Sequence, residues 1–364
     1  MQANHVAHDS GAAREDGLRL LSDLTDEQRR MLRTARVMVC GLGNIGSWLV
    51  EFLACIVGAI VLVDRDRVAA ARNRWNQFDV SGIVDGRPKT EVIESRLHQK
   101  WPGVQVTSYY ADLNDVPWSE FARADLICAG LDSLSARRQL IIERAWPLGK
   151  SVVDGAVGWP LLGRVQIIRP GATAACLQCS WDANHFRLAD LTDPCNPANS
   201  PDVPPTRSPA FLGATIAGVM AAEVVRILLH ARDHESRQID LNLSLPRWTM
   251  SRMQRASGCR FDHALITDRR MLPGGFAAAT VDVLRDYVRS EFGEFADVIF
   301  SRPFSRNAFS LRATATVHEL ANWRGRHLGE LGCTPRDWLV VQSDERRAFI
   351  LLEPLDELTN GREQ

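Results

Sequence analysis

The sequence predicts an α/β fold: a doubly wound, mostly parallel sheet followed by a small C-terminal α+β module. Three observations predict it. Short apolar runs alternate with helix-like stretches through residue 153, the pattern of parallel strands joined by crossover helices. A GxGxxG turn, Gly41, Gly43 and Gly46, links one such run directly to a helix. The pattern then restarts after residue 264 as a shorter mixture of helix and strand hairpin.

The elements follow in order. Residues 17–35 read as a helix, with Leu18, Leu20, Leu21 and Leu24 at mixed three- and four-residue spacing and Asp26 as a cap within it. Arg36–Cys40 is a short buried strand, and the glycine turn carries it into a helix over Ser47–Cys55. Gly58 ends that helix, and Ala59–Val63 is a second strand that finishes at Asp64. Residues 89–99 are helical, Val104–Tyr110 and Leu126–Ala129 are strands, Ser135–Trp146 is a helix, and Ser151–Val153 begins another strand. The proline-rich stretch 194–209 is irregular and reads as a mobile loop. A small-residue helix, Ala214–Leu229, and paired strands over 238–243 and 247–250 complete the larger part. Beyond 264 come a helix, Val281–Phe292, and a hairpin of Trp338–Val341 with Ala348–Leu352. The organisation expected is a disordered N-terminus over 1–16, a nucleotide-binding domain over 17–263 and a small α+β domain over 264–364.

Composition excludes some classes of function. The chain of 364 residues has a formal net charge of −1, with 45% hydrophobic and 24% charged residues. That lacks the basic excess of a nucleic-acid or membrane-surface binder, so neither partner is expected. The longest uninterrupted apolar run, Phe52–Val63, is shorter than the roughly 20 residues of a spanning helix. The N-terminus has no apolar signal core, and a cytoplasmic location is expected. Of the 43 basic residues only Lys89, Lys100 and Lys150 are lysine. A codon bias explains the ratio. Lys100 and Lys150 read as solvated surface charges, and Lys89 stands close to the nucleotide motifs.

Those motifs begin with the glycine turn. In strand–turn–helix context it is the Rossmann-like fingerprint, in which phosphate approaches the amide groups at a helix N-terminus. An acidic residue at the end of the next strand, Asp64, commonly accepts hydrogen bonds from ribose hydroxyls. Together they indicate an adenine nucleotide; the alternative is a glycine turn that only packs. Cys176 and Cys179 form a CxxC pair, which in a cytosolic chain indicates metal or redox chemistry rather than a disulfide framework.

The run from Asn73 through Gln77 to Lys89 makes a resemblance specific. From about residue 17 to 263 the chain resembles the ThiF/MoeB family of adenylating enzymes, to which the ubiquitin-activating enzymes also belong. The resemblance implies a Rossmann-like ATP pocket shaped by Gly41, Gly43 and Gly46, with Asp64 and Asp66 as its acidic strand end and Asp64 on the ribose. It places Asn73, Gln77 and Lys89 along the triphosphate and gives Asp132 the family's Mg²⁺-binding role. Taken alone, Asp132 would equally be a helix N-cap. The family's arginine between these motifs is Asn76 here, and Arg72 or Arg74 stands to replace its charge. Arg19 loosely matches an arginine that reaches the partner subunit's ATP in family homodimers. The family also completes its zinc site with a second CxxC. Cys259 takes the third place, and Asp262 or His263 the fourth. Zinc accepts Cys₃His more readily than a carboxylate, which favours a structural Zn²⁺ on Cys176, Cys179, Cys259 and His263; the alternative is a metal-free relic.

Relatives that pass their substrate to a thiol carry a cysteine near the positions held here by Thr206 and Arg207, neither of which forms a thioester. Cys195 lies upstream in the proline-rich stretch, as a nucleophile or a neutral loop cysteine. The function expected is ATP-dependent adenylation of a carboxylate on a ribosomally made peptide, as in the branch that matures peptide antibiotics. The alternative is activation of a ubiquitin-like or sulfur-carrier protein. A nicotinamide dehydrogenase would leave Asn73, Gln77, Lys89 and the CxxC without a role, and a non-catalytic binding partner is a further alternative that Asn76 favours.

Overall fold

The computed structural model describes residues 23–69, 86–158, 160–190, 208–229, 235–245, 247–300, 314–344 and 346–354. These fall into two compact units. One holds the residues up to Leu113 together with Ala124–Ala264; the other holds Asn114–Arg123 and the chain from Leu265 onward.

The first unit is built on an eight-stranded sheet of order β3-β2-β1-β4-β5-β6-β7-β8. Its strands are β1 (Arg36–Cys40), β2 (Ala59–Asp64), β3 (Gln105–Tyr110), β4 (Leu126–Ala129), β5 (Val152–Gly158), β6 (Leu162–Ile168), β7 (Arg237–Asn242) and β8 (Arg247–Arg252). The pairings from β3 to β5 are parallel, and those from β5 to β8 are antiparallel. Strands β1, β2 and β4 are apolar nearly throughout because both faces are covered, as parallel strands require. The expected α/β class with a mostly parallel, Rossmann-like sheet and a smaller second sheet is what the chain adopts.

Helix α1 spans Asp26–Thr34, and its cap is Thr25 rather than Asp26. The Thr25 side chain accepts from the Gln28 amide while Gln28 reaches back to the Thr25 amide, a capping box that leaves Asp26 to complement the helix dipole. Helix α2, Gly46–Ala54, follows the glycine turn, and α3 is Lys89–Lys100. The helix expected over Ser135–Trp146 is in two parts: α5, Leu134–Arg138, which runs into a π-helical segment over Gln139–Ala145. Its N-cap is Ser133, whose hydroxyl accepts from the Ala136 amide, so the capping alternative for Asp132 is not realised. Lys100 is not simply solvated either: its ammonium lies 2.9 Å from the buried Glu51 carboxylate and 5.5 Å from the Trp101 ring centre.

Strand β6 has no counterpart in the expected elements. Its sequence LGRVQII alternates polar and apolar positions, because one face meets a helix and the other carries Arg164 and Gln166. The covering helix is α7, Ala210–Leu229, which begins a turn earlier than expected. Gly155 and Gly163 leave room for it: a Cβ there would lie 2.3 Å from the Met220 sulfur and 2.2 Å from Ile216 Cδ1. Helix α7 is long and apolar enough to cross a membrane, yet Leu212, Ile216, Met220 and Val224 are buried in the core of this unit with Val39, Leu49 and Val165.

The second unit carries a five-stranded sheet of order β11-β10-β12-β13-β9, from β9 (Asp268–Met271), β10 (Asp297–Ile299), β11 (Thr314–Thr316), β12 (Trp338–Gln342) and β13 (Arg347–Leu351). Helix α8, Val281–Phe292, contributes Leu284 and Val288 to a core shared with Val298, Leu339 and Ile350. Helix α4, Trp118–Arg123, reaches this unit from the β3–β4 connection. Its Trp118 ring lies 5.2 Å from Phe349, which in turn contacts Trp338.

Candidate nucleotide and metal sites

Strands β1, β2, β4 and β5 run in one direction, so their carboxyl ends share one edge of the sheet, where ligands of such folds bind. The glycine turn stands at this edge. Gly41 has φ +87°, a conformation that disfavours any side chain, and its Cβ would meet the Gly130 carbonyl at 2.7 Å. Gly46 has even less freedom, since a Cβ would lie 1.8 Å from the Gly41 carbonyl. Around Gly43 there is open space: a Cβ would have no protein atom within 4 Å. Two glycines therefore close the turn, and the third leaves its backbone approachable by phosphate.

Asp64 braces this turn from β2. Its Oδ2 accepts from the Leu42 amide at 2.6 Å and its Oδ1 from the Asp66 amide at 2.7 Å. Lys89, the first residue of α3, brings its ammonium 2.7 Å from Asp66 Oδ2 and 4.0 Å from Asp64 Oδ2. The lysine and Asp64 side chains are buried at 9% and 7% exposure, whereas Asp66 is 61% exposed. Burial pushes the Asp64 carboxyl above its ordinary value, and the Lys89 ammonium partly offsets that rise. The lysine thus lies in an acidic cradle whose outer arm, Asp66, is exposed to solvent.

Asp132 is exposed on the chain leaving β4. Two residues earlier, the Gly130 amide donates to the Cys40 carbonyl at 2.8 Å beside the glycine turn, which brings this segment to the same edge. Asn73, Gln77 and Arg74 lie outside the described residues, as do Arg19, Arg72, Asn76, Cys195, Thr206 and Arg207.

Two features escaped the motif reading. Asn44, inside the glycine turn, donates to the Ser208 hydroxyl at 2.7 Å and so ties the turn to the residues preceding α7. Arg137 on α5 donates through Nε to both oxygens of the fully buried Asp154 at 3.0 Å and through Nη2 to Gln166 Oε1 at 3.3 Å. A polar Asn between glycines was the signal for the first. The second had none, because it joins a helix to two separate strands.

The candidate metal ligands converge. The Cys176 sulfur lies 3.7 Å from both the Cys179 and Cys259 sulfurs, and Cys179 Sγ is 3.2 Å from His263 Nε2. All four ligand atoms lie within 4.8 Å of one another. A tetrahedral zinc with bonds of about 2.3 Å to sulfur separates its sulfurs by about 3.8 Å, which this set matches. His263 is buried and adopts φ +62°, a strained backbone that aims its ring at the sulfurs. Burial holds its imidazole below the ordinary value, which keeps it neutral as a ligand must be. Asp262 Oδ1 instead accepts from the Ala264 amide at 2.9 Å. The donor set fits a closed, structural Zn²⁺ site.

Fold and site together define a Rossmann-like α/β protein with a buried lysine beside its glycine turn and a candidate Cys₃His metal site. Comparison with known proteins narrows the class: residues 16–261 match the ThiF family, and the chain belongs to it. It is 26% identical over 251 residues to the sulfur carrier protein ThiS adenylyltransferase of Escherichia coli (strain K12), covering 66% of this chain and 90% of that protein. It is 28% identical over 175 residues to the NEDD8-activating enzyme E1 catalytic subunit of Saccharomyces cerevisiae, covering 46% of this chain and 57% of that subunit. Among solved structures, PaaA superposes with a TM-score of 0.51 at 15% identity, over 70% of this chain and 78% of that one. Escherichia coli MccB with MccA-N7isoASN gives 0.50 at 18% identity, over 64% and 69%. These two likenesses show the fold. Family membership carries the reaction class, and the chain is an adenylyltransferase.

Proposed function

We propose that the protein adenylates a carboxylate of a ribosomally made peptide, with ATP as adenylyl donor. The observation that carries the reading is the Asp64–Lys89–Asp66 cluster locked to a phosphate-approachable glycine turn at the carboxyl edge of the sheet.

The barrier to this reaction is electrostatic, because a carboxylate must approach the α-phosphate of ATP, anion against anion. Charge neutralisation and in-line positioning therefore suffice, with no protein nucleophile. The substrate carboxylate oxygen bonds to the α-phosphorus. The bond from that phosphorus to the bridging oxygen breaks, and pyrophosphate leaves with its electron pair. Lys89, exchanging Asp66 for phosphate, neutralises the developing charge, while Asp64 braces the turn and faces the ribose. Asn73, Gln77 and Arg74 are assigned to the phosphates on the family resemblance alone. Asp132 is the carboxylate that would hold Mg²⁺, which supplies charge neutralisation at the phosphates when bound. The mixed anhydride is then attacked at its acyl carbon by an amide or other nucleophile of the peptide, and AMP departs. Thr206 and Arg207, where thiol-transferring relatives place a cysteine, fit a route without an enzyme thioester. Zn²⁺ on Cys176, Cys179, Cys259 and His263 is structural, and the working form is a homodimer in the cytoplasm.

A second reading is favoured by one observation, the match over 90% of the ThiS adenylyltransferase: the substrate is the C-terminus of a small carrier protein. Pyrophosphate release with each candidate separates them. Release with a short peptide bearing a free carboxylate supports the first reading. Release only with a β-grasp protein ending in Gly-Gly overturns it in favour of the second.

A further inference from the structure

The buried pair of Arg137 and Asp154 has no part in the chemistry above, yet it stands where the chain leaves the nucleotide edge. Asp132 lies between two anchors. Upstream, the Gly130 amide donates to the Cys40 carbonyl at 2.8 Å. A Cβ on Gly130 would lie 3.0 Å from the Gly41 carbonyl, so this side is packed on the glycine turn. Downstream comes Ser133, the N-cap of α5. Helix α5 has five residues, too few to hold a position through its own hydrogen bonds. Its buried side chain is Arg137.

Three features set what that arginine does. Its partners come first. Arg137 Nε lies 3.0 Å from both carboxylate oxygens of Asp154 on β5, and Nη2 donates to Asp154 and, at 3.3 Å, to Gln166 on β6. Such a fork fixes the plane of the guanidinium as well as its distance. The neighbouring Arg138 pairs instead with the exposed Asp190, and exposed pairs fix position weakly. Its energetics are second. Taking two charges out of water offsets much of their attraction, so a well-packed apolar pair would hold the helix about as firmly; what the ions add is direction. Its lever is third. The Arg137 amide donates to the Ser133 carbonyl at 3.0 Å, one helical turn back, and Asp132 is the next residue. At about 1.5 Å per residue the lever is roughly 7 Å long. A shift of α5 therefore carries Asp132 with it.

Asp132 is exposed, at the same sheet edge as the glycine turn. One carboxylate there suits Mg²⁺, which takes one or two carboxylates, completes its shell with phosphate oxygens and water, and demands near-octahedral geometry at about 2.1 Å. We propose that Arg137 and Asp154 are positioning residues for that carboxylate: their buried bond between α5 and β5 holds Asp132 where a Mg²⁺ carried by ATP accepts it as a ligand. The inference rests on the Mg²⁺ role proposed for Asp132 and extends it to two residues that act through it.

The test titrates a methylene-bridged, non-hydrolysable ATP analogue into the full chain, in excess Mg²⁺ and in EDTA, and reads the ratio of the two affinities. Asp132→Asn is expected to lower that ratio about tenfold or more. Arg137→Lys, which keeps the charge but loses the fork, and Asp154→Asn are each expected to lower it about fivefold or more, with the affinity in EDTA within about twofold of the wild type. Exchange activity in both should recover as Mg²⁺ is raised above the wild-type optimum. Removing one partner of a buried ion pair is the larger structural change. Gln166→Met spares the pair and takes away the 3.3 Å bond, and it should lower the ratio by about threefold. A ratio unchanged in the folded variants of Arg137, Asp154 and Gln166, or a fall of both affinities together, overturns the positioning role. A wild type whose affinity ignores Mg²⁺, or an Asp132→Asn that keeps the full ratio, contradicts instead the metal role of Asp132, and with it the ground of the inference.

Discussion

Lys89 is one of three lysines in the chain, and its surroundings explain why arginine does not stand there. A compact ammonium fits between Asp64 and Asp66 with 9% of the side chain exposed, where a planar guanidinium would need a wider gap. Lys89→Ala and Asp132→Ala are each expected to lower ATP–pyrophosphate exchange 100-fold or more, about 2.7 kcal/mol. Lys89→Arg should retain ATP binding but lose at least tenfold in exchange; a fully active variant would show that only the charge matters. Asp64 adds a pH signature. Burial raises its folded pKa above the unfolded value, so the folded protein binds the extra proton and stability falls as pH rises through that window. Urea unfolding from pH 4 to 7 should show this decline in the wild type and a shallower one in Asp64→Asn.

At the scale of elements, what could be read in the sequence was what is local. Strands β1, β2 and β4 announce themselves as apolar runs, and the glycine turn and the cysteine spacing carry their chemistry in neighbouring residues. Strand β6 did not, because its polar face alternates with the apolar one. The Arg137–Asp154–Gln166 bond set and the Asn44 tie join residues 17 to 164 positions apart, which no spacing rule connects. His263 was favoured over Asp262 on zinc chemistry alone; the geometry that brings its ring to the sulfurs, a positive φ, had no sequence signal. Two predictions belong here. Gly46→Ala places a Cβ 1.8 Å from a backbone carbonyl, and a loss of about 1–3 kcal/mol or failure to fold is expected in chemical unfolding. Elemental analysis should find one zinc per chain, and its removal by chelator should lower the melting temperature; a purified protein without zinc and indifferent to chelation contradicts the site.

For the whole molecule, the sequence suggested a division near residue 264, whereas the compact units are interleaved. Asn114–Arg123, from between β3 and β4, belongs with the chain beyond Leu265. Trp118 and Phe121 of that segment are buried at 5% and 0% exposure, and Trp118 packs on Phe349. The segment from Leu265 is therefore not a removable appendage, and a chain ending at Ala264 should be insoluble or bind a hydrophobic dye strongly. The central claim, however, is adenylation at the Lys89 edge of the large sheet. ATP–pyrophosphate exchange, with a short peptide bearing a free carboxylate as acyl substrate, tests it most directly. Exchange that requires the peptide and falls 100-fold in Lys89→Ala is the predicted result. Exchange undiminished in both Lys89→Ala and Asp132→Ala would contradict it.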